Sequence, residues 1–438
     1  MVSYVKMKRC CTPLGSLFHI FYDDATFCAV RLLGFCTKSV LPMRKFETGK
    51  GYITLWALLG IWSVSALTSL PGLAVSPISE ELAVIFPKAS EVDIQMLTTL
   101  PSLLIIPFIL LAGFISERVG YIRLLNIGLW LFLLSGALYF VCGSITQLIA
   151  VSAFLGVGAG IIVPLSTALV SKFFTGAERT RQYGYVSAIT NIALVLATAV
   201  TGWLADIQWR LPFLVYLLPV FSIILLPAIK RNAASAGADA QAVKETETTG
   251  NGINYRSLSK YMLFYLLITY LVMAVSIDLP FLLGKLGHDS AVAGLVTAVF
   301  FLSMMTPGLF INRILALLKG NILWVSLLFI ALGLLDISLN SSLLFIVIGC
   351  IVAGFGYGMA QPYIYDATAS LASANKVTTA LALVMTMNYV AIVVSPFVIE
   401  FLQDLSGVKG EASSFLLNSI AGFVFLVPLV LNRLFVKR

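Results

Sequence analysis

Tyr357, Gln361 and Tyr365 recur at i, i+4 and i+8 inside a long apolar run, with Asp366 directly after them. On a helix that spacing puts two phenols and an amide on one face. Aromatic rings with a few hydrogen-bonding groups are what a mostly apolar small-molecule site uses. Asp366 and Asp278 are carboxyls within apolar runs, where an ionisable side chain is costly and marks function by default. Both are candidates to bind and release a coupling proton; for Asp366 the rival role is an ion pair near the inner end of its segment. Ser166, Thr167, Thr68 and Tyr270 are further polar candidates for the same cavity. Packing, or anchoring at a membrane interface, is the competing use of the tyrosines. Asn191 and Asn388 are buried amides in need of partners and read as glue between helices.

What is missing narrows the chemistry. The chain has only two histidines, His19 and His288, and four of its six cysteines lie in the first 36 residues. No metal-ligand spacing results, so no metal or cofactor is expected, and there is no clustered acid–base machinery for an enzyme. "GVGAGIIVP" at 156–164 is glycine-rich, but the Lys-Ser/Thr of a phosphate loop does not follow it. Asp366 lies about 13 Å from the middle of its run at 1.5 Å per residue. Asp278 is displaced towards the other end, and Asp336 and Glu400 sit near segment ends. No Lys or Arg stands in the central third of any run, so a multiply charged anion would find no compensating charge.

These residues must be positioned by a bilayer-spanning scaffold. The 438 residues are 59% hydrophobic and 11% charged, with mean hydropathy +0.99. A soluble domain uses about 25% charged residues. Apolar runs of helical length recur at 53–78, 95–115, 122–142, 146–171, 183–205, 211–229, 258–283, 290–311, 321–340, 343–370, 377–400 and 412–432. A hydrocarbon core of about 30 Å needs about 20 helical residues, and the period-2 alternation of a membrane barrel is absent. Twelve membrane helices are therefore expected. With the N-terminus inside, only Lys88, Arg210, Lys285 and Lys409 of the 28 basic residues face out, which places both termini in the cytoplasm. The basic excess is then a topology signal, with no nucleic acid implied.

The small, polar stretch 231–257 reads as a flexible cytoplasmic linker between six-helix bundles at 43–230 and 258–438. Residues 1–42 read as a disordered or non-native extension. The two halves share a string: "GFGYGMAQP" at 354–362 repeats the pattern of 156–164 with an offset of 198 positions. Gly156, Gly158, Gly160 and Pro164 thus correspond to Gly354, Gly356, Gly358 and Pro362. Small residues at this spacing allow close helix packing, and the prolines allow bending.

The connection "GFISERVGYIR", 113–123, resembles the signature loop of the major facilitator superfamily, with Gly113, Glu117, Arg118, Gly120 and Arg123 in the matching places. "GLFINRILALLKG", 308–320, resembles a decayed second copy that keeps Gly308 and Arg313. "WRLPF", 209–213, is similar to the family's turn into its sixth helix. The resemblance covers about 43–438 and implies an all-α membrane fold of two pseudo-symmetric six-helix bundles. It implies that 113–123 and 308–313 form an inner gate. The overall pattern looks most like bacterial drug/proton antiporters. Yet Ser152 stands where that group commonly has arginine, and its Gly-Pro-x-x-Gly-Gly signature falls on "ATAVTG", where only Gly202 survives.

The expected function is secondary transport by alternating access. The expected partners are a small neutral or amphipathic organic solute, a proton and the lipid bilayer of the inner membrane. The expected direction is efflux by a monomer. Uptake of a neutral or weakly acidic nutrient, or a sensor without transport, are the alternatives.

Overall fold

The computed structural model describes residues 45–436, apart from 50, 72–73, 76–77, 79–81, 83–84, 88–89, 206, 244–251 and 408–409. The expectations for 1–42, Lys88 and Lys409 lie outside the described residues. A short antiparallel hairpin, β1 (Lys45–Glu47) and β2 (Tyr52–Thr54), precedes the helices. The first bundle comprises α1 (Leu55–Ala66), α2 (Glu91–Val119), α3 (Tyr121–Leu138), α4 (Ile145–Phe173), α5 (Gly176–Ala205) and α6 (Pro219–Val243). The second comprises α7 (Tyr255–Lys285), α8 (Ser290–Leu309), α9 (Ile322–Leu339), α10 (Leu343–Ser370), α11 (Val377–Ser406) and α12 (Glu411–Val436), with a short amphipathic helix, Ile311–Leu318, between α8 and α9. Ten helices are long and apolar enough to cross a bilayer, and shorter apolar helices at Leu55–Ser69 and Ala412–Val427 take the first and last places.

Local chemistry sets the boundaries. Ser90 caps α2, accepting from the Asp93 amide while the Asp93 carboxylate accepts from the Ser90 amide. Gly120, at φ +90°, makes the break between α2 and α3 that an L side chain would strain. One boundary differs from expectation. The helix bracketed at 211–229 continues to Val243, into the stretch read as flexible linker. "NAASAGADAQAV" has too few apolar groups to bury, but its alanines form helix at little cost.

Small residues set the helix spacing. A β-carbon on Gly156 would lie 2.7 Å from the Pro101 carbonyl oxygen of α2, and one on Gly158 2.8 Å from the Phe132 amide of α3. In the second bundle, Gly354 faces the Phe300 carbonyl of α8 and Gly356 the Ser326 carbonyl of α9, both at 2.7 Å. Gly160 and Gly358 press again on α2 and α8. Corresponding glycines thus seat α4 on α2 and α3, and α10 on α8 and α9. Between the bundles α2 packs on α11 and α5 on α8, contacts that exchange under the same six-helix correspondence.

Candidate functional site

The loops α2–α3, α4–α5, α8–α9 and α10–α11 share one end of the molecule, called here the basic end. Between the bundles, a ladder of side chains runs from that end into the middle. Arg179, Tyr183 and Ser187 sit one turn apart on α5; Asp366, Tyr365 and Gln361 descend α10 in the opposite direction. Arg179 Nε lies 2.5 Å from Asp366 Oδ1, and Thr180 donates to Asp366 Oδ2 at 2.8 Å. The Tyr183 and Tyr365 rings meet edge to face, with centroids 5.8 Å apart. Ser187 donates to Gln361 Oε1 at 2.7 Å.

Beyond this ladder the second bundle gathers an uncharged cluster. Gln361 Nε2 donates to the Tyr265 hydroxyl at 3.1 Å, and the Tyr265 and Tyr365 hydroxyls are 2.8 Å apart. Asn388 Oδ1 accepts from Thr269 at 2.9 Å and from Tyr357 at 3.1 Å. Tyr265, Tyr357 and Tyr365 are buried. Phenols and amides bonded in this way are satisfied without any charge, which suits a low-dielectric setting.

The other sequence candidates fare differently. Ser166 and Thr167 are buried on α4, but each hydroxyl bonds to the Val163 carbonyl of its own helix; Thr167 also meets Met385 Sδ across the bundles at 3.5 Å. The Thr68 hydroxyl bonds back to Ser65, while its carbonyl accepts a 3.5 Å bond from Tyr389. Tyr270 and Asp278 are half-buried on α7, and the Tyr270 hydroxyl makes no hydrogen bond among the described residues. From α7 it is Thr269 and Tyr265 that join; Tyr265 was missed, as was the α5 stripe of Arg179, Tyr183 and Ser187. The signal for both was there: Tyr265 and Thr269 repeat at i+4, and the α5 stripe has the same spacing as that of α10.

The basic end is closed by backbone contact as well as charge. A β-carbon on Gly113 would lie 2.7 Å from Ala382 Cβ of α11, and one on Gly308 2.5 Å from the Gly184 carbonyl oxygen of α5. Thr379 bonds to the Gly113 carbonyl at 3.1 Å and to the Glu117 carboxylate. Asn312 donates to the Ala177 carbonyl at 3.0 Å, and Lys172 to the Ala374 carbonyl at 2.5 Å. Arg118, Arg123 and Arg313 are exposed on this face. A cavity of about 530 Å³ lies elsewhere, between α1, α5 and α6; its walls, including Leu67, Leu196 and Phe221, are almost wholly apolar, and no member of the tyrosine cluster lines it.

The sequence profile of the Major Facilitator Superfamily matches residues 57–396. The chain belongs to the major facilitator superfamily. Among curated proteins, this superfamily member is 30% identical to the multidrug transporter protein MdtP of Bacillus subtilis over 108 residues, 24% of the chain and 19% of MdtP. It is 28% identical to the quinolone resistance protein NorA of Staphylococcus aureus over 141 residues, 31% of the chain and 36% of NorA. The matched stretches thus span about a fifth to a third of these relatives' lengths. Among solved structures, the proton:xylose symporter XylE superposes with a TM-score of 0.68 at 15% identity, covering 85% of this chain and 94% of that one. The human organic anion transporter MFSD10 superposes with a TM-score of 0.65 at 18% identity, covering 85% and 98%. The protein is accordingly a multi-pass membrane protein whose fold is two six-helix halves.

Proposed function

We propose that this transporter exports small amphipathic or neutral organic solutes across the cytoplasmic membrane as a monomer, by alternating access coupled to protons. The observation that carries the reading is the uncharged tyrosine–amide cluster joined by a continuous ladder to an ion pair at the basic end. A solute with an apolar body and one or two polar groups fits phenol faces and a two-headed amide. Gln361 is the exchange point: a solute that takes its amide displaces Ser187 and loosens the hold between the bundles. Protonation of Asp366 removes the charge pairing with Arg179, so proton binding and opening of the basic end are linked. The basic excess at that end supports a cytoplasmic orientation for it. Efflux is supported by the local similarity to MdtP and NorA.

The test is a panel of neutral, cationic and anionic amphiphiles on purified protein in liposomes with an imposed pH gradient. Saturable flux of neutral or cationic members that collapses with the gradient is expected. Flux indifferent to the gradient would remove proton coupling, and a preference for polyanions would remove the substrate class. Gln361→Ala should raise KM by about tenfold, the cost of a lost buried hydrogen bond with its partners left unmade. Tyr270→Phe, which removes a hydroxyl that makes no hydrogen bond among the described residues, should leave KM within about twofold.

A further inference from the structure

Each bundle carries a backbone clip that ties the segment before its first helix to the loop between its fourth and fifth helices. In the first bundle, the Thr175 amide donates to the Thr48 carbonyl at 2.9 Å. Thr48 belongs to the β1–β2 hairpin, whose own turn is closed by Thr48 N–H to the Gly51 carbonyl at 2.9 Å. The hairpin is seated: Ile53 and Thr48 are buried, and Thr54 exchanges two bonds with the Asn232 side chain of α6, at 3.3 and 2.9 Å. In the second bundle, the Ser373 amide donates to the Gly252 carbonyl at 3.2 Å and the Asn254 amide to the Leu371 carbonyl at 3.1 Å, with Ile253 bridged to Ala372. Thr175 and Ser373 are 198 positions apart, the offset of the glycine repeat. The two clips are therefore corresponding features, although Thr48, Gly49 and Gly252, Ile253 share no sequence pattern.

Both clipped loops lead directly into the gate. The Thr175 carbonyl accepts from the Arg179 amide at 3.4 Å, and Ser370, next to Leu371, donates its hydroxyl to the Asp366 carbonyl at 3.0 Å. Lys172 joins the two loops through the Ala374 carbonyl. The fit at the first clip is close. Gly49 has φ +79°, and a β-carbon there would lie 2.7 Å from the Thr175 carbonyl oxygen and 2.8 Å from its Oγ1. Ordinary side chains are thus excluded by both conformation and space. The anchors also flank the inter-bundle connection, Asn232 at one side and Gly252 at the other.

We propose that the two clips are positioning elements of the gate: they hold the α4–α5 and α10–α11 loops so that Arg179 and Asp366 meet, and releasing either one opens the basic end. This rests on the alternating-access reading above, but on no particular solute, ion or direction. The test is amide hydrogen exchange by mass spectrometry on the full chain in lipid nanodiscs, without substrate or gradient. Gly49→Ala should raise exchange roughly tenfold in 173–182 and also in 376–382 of the other bundle, where α11 meets Gly113. Asn254→Pro, whose φ of −78° suits proline, removes the donor to Leu371. It should raise exchange in 366–374 and in 178–182, whereas Asn254→Ala, which keeps the amide, should do so far less. Gly51→Ala, with nothing within 4 Å of the added carbon, should match wild type. Peptides at the opposite end, 139–147 and 336–343, should be unchanged in all four variants. Exchange that rises only in the clipped loop overturns the proposal, and so does a uniform rise that includes the opposite end. A failed flux assay leaves this result standing, so the two readings fail separately.

Discussion

Gly184→Val should reduce flux in proteoliposomes to below about one-tenth of wild type while the protein still inserts and purifies. Gly184 on α5 and Gly308 on α8 are in backbone contact: a β-carbon on either would collide with the other's carbonyl oxygen. A carbonyl in a helix cannot swing aside as a flexible side chain does, so the helices themselves must separate. The separation falls at the basic end, beside the Ala177–Asn312 bond and a few residues from Arg179. The state sealed at that end is then lost, and a carrier that cannot reach one of its two states does not turn over. Accessibility of a cysteine-directed probe to the ladder from the basic side should increase in the same variant. Gly202→Ala is the matched control, because nothing lies within 4 Å of the added carbon; its flux should stay within about twofold of wild type. Full flux in Gly184→Val would show that the α5–α8 contact is not a gate.

Neutralising Asp366 should act on the same equilibrium through charge. Its carboxylate is held by Arg179 and Thr180, with the Arg179 and Asp366 side chains only 17% and 22% exposed. Partly buried pairs lose more than surface pairs when one partner is removed, since the other charge is left unmatched. Asp366→Asn keeps a group able to accept from Thr180 but ends the ion pairing. A shift of about tenfold towards the state open at the basic end is expected, read by the same cysteine probe. Arg179→Gln should shift it in the same direction. The exchanged pair, Arg179→Asp with Asp366→Arg, should recover part of the sealed population, which neither single change can do. Unchanged probe accessibility in Asp366→Asn would show that the ion pair does not hold the basic end closed.

The span count, the six-plus-six division and the equivalence of α4 with α10 were all legible in the residues. A bilayer demands about 20 apolar residues per crossing and internally satisfied backbone, so composition alone reveals the crossings. Repeated glycines survive as a pattern because backbone contact tolerates nothing larger. The stripe Tyr357, Gln361, Tyr365 was equally readable, since 3.6 residues per turn fixes which side chains share a face of one helix. The helical tail of α6 was harder to see, because alanine-rich helix needs no apolar face to announce it.

What no single helix reveals is which face of another helix it meets. Asp366 finds Arg179 from 187 positions away, and Gln361 finds Ser187 from 174. Read in its own segment, Arg179 is one more cation in a basic loop, and Tyr265 one more aromatic ring. The clips at Thr175 and Ser373 use backbone groups alone, to which side-chain identity is nearly blind. Spans, halves and stripes belong to local periodicity and were determined by the sequence itself. The rotation of each helix about its axis, and hence the pairing of stripes into a ladder, was decided only by tertiary packing through the close glycine contacts.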